Sequence, residues 1–275
     1  MLEYFKEQAL KEGLHLYRIS GIGPDGPETV VLYPANACNN TYSVTKIFTM
    51  TAIGMLWDRG MLDVDAPVYP ILKDYFTPVS DPGWKKVTVA HLLTHRAGYG
   101  RGLLDIDAED ASAYPTRDYI RIALEEPLSG IPGKTYEYTD AAFYLLSRIV
   151  EKVSGKRLDE WMRPVLFNVL NFREAAWSCC PQGHPIGATG LYLHTSDMVK
   201  LGWVYMNGGV FENKRVVSKE WTILALERGF EFQPAGHGWY AKGGMNGQML
   251  AFSPQRGLAV AWQGYETRKD TGILL

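Results

Sequence analysis

The sequence predicts an α+β fold in which strands come from both ends of the chain and helices fill the middle. Short segments with the alternation and β-branched content of strands occur before residue 35 and after residue 235. Between them, apolar residues recur at helical spacing behind polar capping residues. At 275 residues, the chain can form one compact unit or two interleaved lobes around a large core.

Composition argues against two classes of partner. The chain has 28 Lys and Arg against 30 Asp and Glu, a net charge of -2, and the two signs are mixed along it. We therefore expect binding neither to nucleic acid nor to an anionic membrane surface. The sequence also contains no apolar run of the length that spans a bilayer. A small-molecule substrate is the expected partner, and no cofactor or metal is expected.

The N-terminal residues are charged and lack the apolar core of a signal peptide, which predicts a cytoplasmic protein. Three cysteines, Cys38, Cys179 and Cys180, cannot all pair internally, and adjacent cysteines rarely form a bridge. Such cysteine usage fits a reducing compartment.

The chain begins with an amphipathic helix predicted at residues 2–11, followed by strands at 14–19 and 29–33. The segment between the strands, residues 21–26, matches the dinucleotide-binding pattern G-x-G-x-x-G letter for letter. Pro24 lies inside it and a second strand follows it, whereas a dinucleotide site requires a helix there. We therefore interpret this segment as a hairpin turn.

Ser43 opens the next predicted helix, which ends near the capping residue Gly60. A serine hydroxyl is a weak nucleophile and needs a proton acceptor within hydrogen-bond reach. Lys46 lies three residues further on, so a helix places its amine on the same face as the Ser43 oxygen. The positive end of the helix dipole also points at Ser43, where negative charge develops during acyl transfer. The pair alone is a weak signal, because a helix cap followed by a solvated lysine has the same pattern.

Helices dominate the middle of the sequence. His91 and His95 stand one turn apart in a short helix predicted at 87–98, as zinc ligands can. Leu92 replaces the acid that follows the first histidine of zinc proteases, so we interpret both histidines as structural. Thr139 or Asp140 caps a long helix that ends at Gly155. The other expectations here are a loop at 61–68 that runs into short helical turns, a loop at 108–115, helices at 116–125 and 158–170, and an unassigned segment at 175–185.

Towards the C-terminus the pattern returns to strands. A helix capped by Thr195, Ser196 or Asp197 comes first, and Ser218 caps another at 219–227. The predicted strands are 238–242, 248–253 and 258–263, with a hairpin turn at 254–257.

Three short segments of this chain carry a family resemblance: Ser43-Val44-Thr45-Lys46, Tyr138-Thr139-Asp140 and Lys242-Gly243-Gly244. Their order and approximate spacing resemble the three active-site boxes of penicillin-recognising serine enzymes. Because tyrosine opens the second box, the pattern is most similar to class C β-lactamases, DD-peptidases and β-lactamase-like carboxylesterases. The resemblance extends to residues 62–68, 87–95, 132–133 and 244–248, and covers roughly residues 14–265.

The resemblance implies a β-lactamase/transpeptidase-like fold, with an antiparallel sheet flanked by helices and an inserted, mostly helical lobe. We expect residues 1–60 and 186–275 to form the sheet lobe and residues 61–185 the helical lobe. The family pattern places the active site in the cleft between them.

The resemblance also implies a mechanism. Ser43 would attack a carbonyl carbon and form an acyl-enzyme that water then hydrolyses. Lys46, Tyr138 and Lys242 would form one coupled proton system, because nearby ammonium groups favour a phenolate. The backbone N–H groups of Ser43 and of Met245, expected at the start of a strand, would form the oxyanion hole.

Asp140, Gly243 and Gly244 are the residues expected to bind the substrate, and the first two depart from the family pattern. The second box usually ends in asparagine, whereas an ionised Asp140 can only accept hydrogen bonds. Its charge should hold Lys46 as an ammonium and leave the role of base to Tyr138. The third box usually has a hydroxyl that grips a substrate carboxylate, and Gly243 has none. We therefore expect small esters or uncharged amides to be better substrates than β-lactams or D-Ala-D-Ala peptides.

Two other functions fit the same sequence. One is a β-lactamase or D-Ala-D-Ala carboxypeptidase proper, and the other is a non-catalytic binding or sensor domain that keeps the pocket without turnover. The joint presence of Ser43, Lys46 and Tyr138 favours an active serine hydrolase over the sensor domain. A purely structural interpretation would make these residues a helix cap, a solvated lysine and a core aromatic.

Overall fold

A computed structural model describes residues 1–267 and 269–275 of the chain. Its backbone contacts divide the chain into two compact units. The first, here named the sheet unit, comprises residues 1–47, 163–176 and 191–275, and the second, the helical unit, comprises residues 48–162 and 177–190.

These units differ from the expected lobes at residues 48–60, 163–176 and 186–190. The Thr49 hydroxyl donates a hydrogen bond to the Gly187 carbonyl at 2.6 Å, which ties the helix after Ile47 into the helical unit. The Arg173 backbone N–H donates to the Asp197 carboxylate at 2.8 Å, which ties residues 163–176 into the sheet unit. Each of these hydrogen bonds joins two segments, distant in the sequence, that belong to the same unit.

The strands, numbered in chain order, are β1 (Leu16–Gly23), β2 (Gly26–Val31), β3 (Cys38–Asn40), β4 (Ala175–Trp177), β5 (Leu191–His194), β6 (Val210–Phe211), β7 (Lys214–Arg215), β8 (Gln233–Pro234), β9 (Tyr240–Gly244), β10 (Gln248–Ser253) and β11 (Leu258–Gly264). The α-helices are α1 (Glu3–Lys11), α2 (Thr45–Asp58), α3 (Val68–Ile71), α4 (Val89–Leu93), α5 (Tyr119–Glu125), α6 (Asp140–Ser154), α7 (Leu158–Met162), α8 (Thr195–Met206) and α9 (Lys219–Glu227).

The sheet unit is built on a six-stranded sheet in the order β2-β1-β11-β10-β9-β8, and its neighbouring strands are antiparallel. The two ends of the chain meet where β1 pairs with β11 and Ile19 lies opposite Trp262. This confirms the expected antiparallel sheet flanked by helices. The segment at 21–26 is the β1–β2 hairpin, in which Gly23 pairs with Gly26, so the dinucleotide pattern is indeed a turn.

Apolar side chains cover both faces of this sheet. On one face, the buried residue Phe5 of α1 packs edge-on against Trp239 and tilted against Trp262, with ring centroids 6.3 Å apart in each case. On the other face, α8 approaches so closely that a Cβ at Gly202 would lie 3.0 Å from Leu250 Cδ1. A helix that lacks a side chain at this point can approach the strands closely.

The helical unit centres on α6, whose residues Asp140 to Val150 are buried. The Thr139 hydroxyl accepts a hydrogen bond from the Ala141 N–H at 3.3 Å, so Thr139 is the N-cap, and Gly155 ends the helix in the left-handed conformation. The short helices α3, α4, α5 and α7 pack around it. Such a helix, buried on most sides, is the core of its unit.

The predicted helix at 158–170 is wrong in its second half. Helix α7 ends at Met162, and residues Arg163–Phe167 form a π-helical turn. Pro164 lies inside this turn and has no N–H for the regular helical ladder, which explains the break. The helix expected at 87–98 is also shorter than predicted, because α4 ends at Leu93 and His95 adopts a positive φ of 54°.

Among the described residues, no helix combines the length and the apolar character needed to cross a membrane.

His184 gives the helical unit a predictable response to acid. Burial, followed by the nearby Arg148 guanidinium, lowers the pKa of His184, while Glu151 at 2.8 Å opposes the shift. As pH falls from about 7 to 5, His184 binds a proton more readily in the unfolded chain than in the folded chain. The free energy of unfolding therefore decreases. His184→Asn should therefore make that free energy less dependent on pH in urea titrations. The control, His237→Asn at an exposed position, should leave this pH dependence unchanged. If the free energy of unfolding varied equally with pH in both variants and the parent, the role given to His184 would be contradicted.

Candidate active site

Ser43 lies in a tight turn that leads into α2. The turn, Tyr42–Val44, is a 3-10 helix, and Tyr42 has a positive φ of 45°. The Asn40 side chain accepts a hydrogen bond from the Tyr42 N–H at 2.9 Å, which holds this unusual conformation. Non-glycine residues in the left-handed region are uncommon and concentrate at functional sites. The strained residue directly before Ser43 therefore marks this turn as a candidate site.

Lys46 is fully buried, and its Nζ donates a hydrogen bond to Ser43 Oγ at 3.1 Å. The structure thus has the contact that the three-residue spacing predicts. Burial also excludes the solvated-lysine interpretation of Lys46. The hydroxyl and the amine lie within the distance that proton transfer requires.

A network of threonines anchors the Ser43 turn to β5. Thr41 Oγ1 donates to the Leu191 carbonyl at 2.9 Å and lies 2.9 Å from Thr45 Oγ1. The Leu191 N–H in turn donates to Thr45 Oγ1 at 3.2 Å. Because these residues are buried, such bonds hold the turn rigidly.

The end of β9 runs beside the backbone of Ser43. A Cβ built on Gly244 would lie 3.3 Å from the Ser43 backbone nitrogen and 2.9 Å from the Thr41 carbonyl oxygen. The absence of a side chain at 244 therefore lets β9 approach the backbone of the Ser43 turn closely. Gly243 is less crowded, since the nearest atom to its added Cβ is Met249 Cε at 3.8 Å.

The sequence predicted Met245 at the start of a strand, and this prediction is wrong. It follows the end of β9 and opens a 3-10 turn, Met245–Gly247, after which β10 begins at Gln248. The positive φ angles of Asn246 (59°) and Gly247 (84°) make this connection tight enough to join two paired strands. The Met245 N–H that is expected to serve in the oxyanion hole therefore lies directly after the end of β9.

Lys242 contacts Glu231, a partner that the three sequence motifs did not indicate. Its Nζ forms an ion pair with the Glu231 carboxylate, and the side chains are 13% and 2% exposed, respectively. Glu231 lies just before β8, and Gln233 of β8 pairs with Ala241 of β9, which brings residue 231 close to Lys242. Glu231 belongs to none of the three boxes, so the motif comparison could not find it.

Tyr138 lies in the helical unit and is 36% exposed. Its ring packs on His95, with centroids 4.3 Å apart and planes at 32°. His95 Nδ1 accepts a hydrogen bond from the Thr139 N–H at 3.3 Å, and the His95 carbonyl accepts one from the Glu137 N–H at 2.9 Å. His95 thus holds the backbone on both sides of Tyr138, which gives this histidine the structural role expected for it.

His91 also has a structural role. Its Nδ1 accepts a hydrogen bond from the Thr88 N–H at 3.3 Å, and its own N–H donates to Thr88 Oγ1 at 3.3 Å. The two residues form a capping box at the start of α4.

Asp140 is buried in the first turn of α6 and belongs to an acidic cluster in the helical unit. Carboxylate oxygens of Asp105, Asp107 and Asp140 lie within 4.8 Å of one another. Thr189 donates a hydrogen bond to the Asp107 carboxylate. Carboxylate oxygens are the ligands that hard cations such as Ca²⁺ and Mg²⁺ prefer, so these three side chains could hold one. Sequence reasoning missed the cluster, although the Asp-x-Asp pattern at 105–107 was available as a signal.

The structure therefore groups the predicted residues as follows. The sheet unit brings together Ser43, Lys46 and the Gly244 end of β9, and in the same unit Lys242 pairs with Glu231. Tyr138 and Asp140 lie in the helical unit.

Comparison with known proteins gives a consistent family signal. The family model described as Beta-lactamase matches residues 26–263. Esterase EstB of Burkholderia gladioli is 30% identical over 146 residues, which cover 49% of this chain and 37% of the esterase. The 6-aminohexanoate-dimer hydrolase of Paenarthrobacter ureafaciens is 25% identical over 272 residues, covering 85% of this chain and 69% of that protein.

Solved structures share the fold. A penicillin binding protein from Bacillus halodurans superposes with a TM-score of 0.70 and 19% identity, covering 98% of this chain and 96% of that protein. By contrast, the chain spans only about a third to a half of the length of several curated relatives that it matches. The activities of those longer proteins therefore do not transfer directly to this chain.

Gly244→Ala should impair hydrolysis of p-nitrophenyl esters far more than Gly243→Ala. The new methyl group at 244 meets the Thr41 carbonyl and the Ser43 nitrogen, so the turn or β9 must shift, whereas position 243 has room. Complete loss of one oxyanion donor costs about 2.7 to 4 kcal/mol of transition-state stabilisation. A donor that is only displaced should cost less, so we expect at least a tenfold difference in kcat/KM between the two variants. Equal losses in the two folded variants would show that the close packing of Gly244 on the Ser43 turn is not needed for hydrolysis.

Proposed function

The chain belongs to the Beta-lactamase family, and from this we propose that it is a serine hydrolase that forms an acyl-enzyme on Ser43. The observation that supports this most directly is the 3.1 Å contact between the buried Lys46 amine and the Ser43 hydroxyl. The close approach of Gly244, at the end of β9, to the Ser43 backbone nitrogen supports it further. A nucleophile, a proton-transfer group and a place for an oxyanion are the minimum set for acyl transfer.

In the proposed acylation step, Ser43 Oγ attacks the substrate carbonyl carbon and its proton passes to the coupled Lys46–Tyr138 system. The carbonyl oxygen becomes an oxyanion, which the N–H groups of Ser43 and Met245 stabilise. The bond from the carbonyl carbon to the leaving oxygen or nitrogen then breaks, and the leaving group takes up the proton. The product of this step is an ester of Ser43.

In the deacylation step, water attacks the ester carbon and gives one proton to the same system. The bond to Ser43 Oγ breaks, the serine recovers its proton, and a carboxylic acid is released. Lys242 would add positive charge near the reacting groups, and Asp140 would keep Lys46 protonated and leave Tyr138 as the main acceptor.

We propose small esters or uncharged amides as substrates. Gly243 offers no hydroxyl to a substrate carboxylate, and an ionised Asp140 donates no hydrogen bond to an acylamino carbonyl. Both absences weaken the recognition of β-lactams and of D-Ala-D-Ala peptides. The name of the relative Esterase EstB is consistent with the preference for esters.

A fluorophosphonate probe should label the purified protein, and Ser43→Ala should abolish the labelling. Tyr138→Phe keeps a ring against His95 and removes only the hydroxyl, so it should slow ester hydrolysis by about 100-fold or more if Tyr138 is the general base. The exposed Ser112, changed to Ala, is the control and should retain full labelling. Unlabelled wild-type protein without esterase activity would instead support the binding or sensor domain.

The substrate preference has its own test. Steady-state kinetics should give a higher kcat/KM for p-nitrophenyl acetate or butyrate than for nitrocefin, because the departures at Asp140 and Gly243 remove contacts to the β-lactam. Faster hydrolysis of nitrocefin would favour a β-lactamase proper.

A further inference from the structure

We infer that Glu231 is a specificity-determining residue: by pairing with Lys242 in a buried setting, it makes the site discriminate against acyl groups that carry a carboxylate. This inference rests on the proposed serine hydrolase function. Glu231 acts through the negative charge of its carboxylate, whereas Gly243 affects binding only because it lacks a hydroxyl.

The first observation is the burial of the pair. The Glu231 side chain is 2% exposed, the Lys242 side chain is 13% exposed, and the two form an ion pair. Removing charges from water is unfavourable unless a partner of opposite sign compensates them. The ammonium and the carboxylate therefore stabilise each other, and an anion that displaced Glu231 from Lys242 would have to break this buried ion pair.

The second observation is the strained conformation of the Glu231 backbone. Its φ is 55°, in the left-handed region, and the Phe232 N–H donates to the Phe230 carbonyl across it at 2.6 Å. This is a γ-turn with a positive φ at its centre, a rare and strained form. A non-glycine residue persists in such a conformation only where its surroundings hold it firmly.

The surroundings of Glu231 supply that support. Phe230 and Phe232, its two chain neighbours, are both fully buried. The ring of Phe232 packs against Tyr205 and Phe252, each with centroids 5.0 Å apart, and Phe230 packs against Trp221 at 5.9 Å. The carboxylate is thus presented from an aromatic cluster, so Glu231 cannot swing away to make room for a competing anion without disturbing the core of the sheet unit.

The third observation is the position of Lys242 on the strand that carries Gly244. Lys242 is two residues before Gly244, and Gly244 lies beside the Ser43 nitrogen. A substrate carboxylate drawn to Lys242 would meet an ammonium already paired to a fixed carboxylate, and the two anions would repel each other. A neutral acyl chain meets no such repulsion, so the pair selects for neutral acyl groups by building an unfavourable charge contact against anionic ones.

The inference is tested with two esters that differ by one charge, p-nitrophenyl hexanoate and p-nitrophenyl hydrogen adipate. Glu231→Gln keeps the shape of the side chain and removes its charge, so that no carboxylate at position 231 repels the adipate carboxylate. We expect the ratio of kcat/KM for the adipate ester to that for the hexanoate ester to rise at least tenfold. The matched control is the exposed Glu227, changed to Gln, which removes the same charge from the surface and should leave the ratio unchanged.

An unchanged ratio in folded Glu231→Gln, or an equal rise in the control, would overturn the inference. Should Glu231→Gln not fold, the wild-type ratio decides: a value below about one tenth supports the inference, and any higher value overturns it. Failure of the proposed function is a separate result, since wild-type protein would then hydrolyse neither ester and Ser43 would not be labelled. In that case the inference falls with the function on which it rests.

Discussion

The hydrogen bond between the Lys46 amine and the Ser43 hydroxyl is the contact on which the candidate chemistry depends. The spacing of three residues at the start of α2 produces it, and burial of the lysine keeps water from competing for it. The strained Tyr42, the threonine bonds to β5 and the bare backbone of Gly244 surround the same turn. A simple helix start would need neither a strained backbone at Tyr42, nor buried hydrogen bonds to another strand, nor a glycine packed against it.

Much of the architecture could be predicted because it follows from local patterns. The β1–β2 hairpin, the cap at Thr139 and the terminal glycine at Gly155 are encoded within a few residues of where they act. The contact between Ser43 and Lys46 has the same local origin. The order of the three boxes then predicted the family, which the match over residues 26–263 now shows.

The features that were missed depend on contacts between residues far apart in the sequence. Glu231 meets Lys242 only because β8 pairs with β9, and no pattern around residue 231 indicates this. The strand β5 has four residues, too few for a clear period, and its place depends on pairing with β3. The break after α7 was the exception, because Pro164 gave a local signal that the helical pattern of its neighbours obscured.

The central claim is that Ser43 becomes covalently acylated during turnover. The most direct measurement is peptide mapping by mass spectrometry of enzyme quenched with acid during steady-state hydrolysis of p-nitrophenyl butyrate. We expect a butyryl group on the peptide that contains Ser43, located on that residue by fragmentation, and lost when the substrate is exhausted. Active enzyme that carries its acyl group on another residue, or that shows no adduct when deacylation is the slow step, would contradict it.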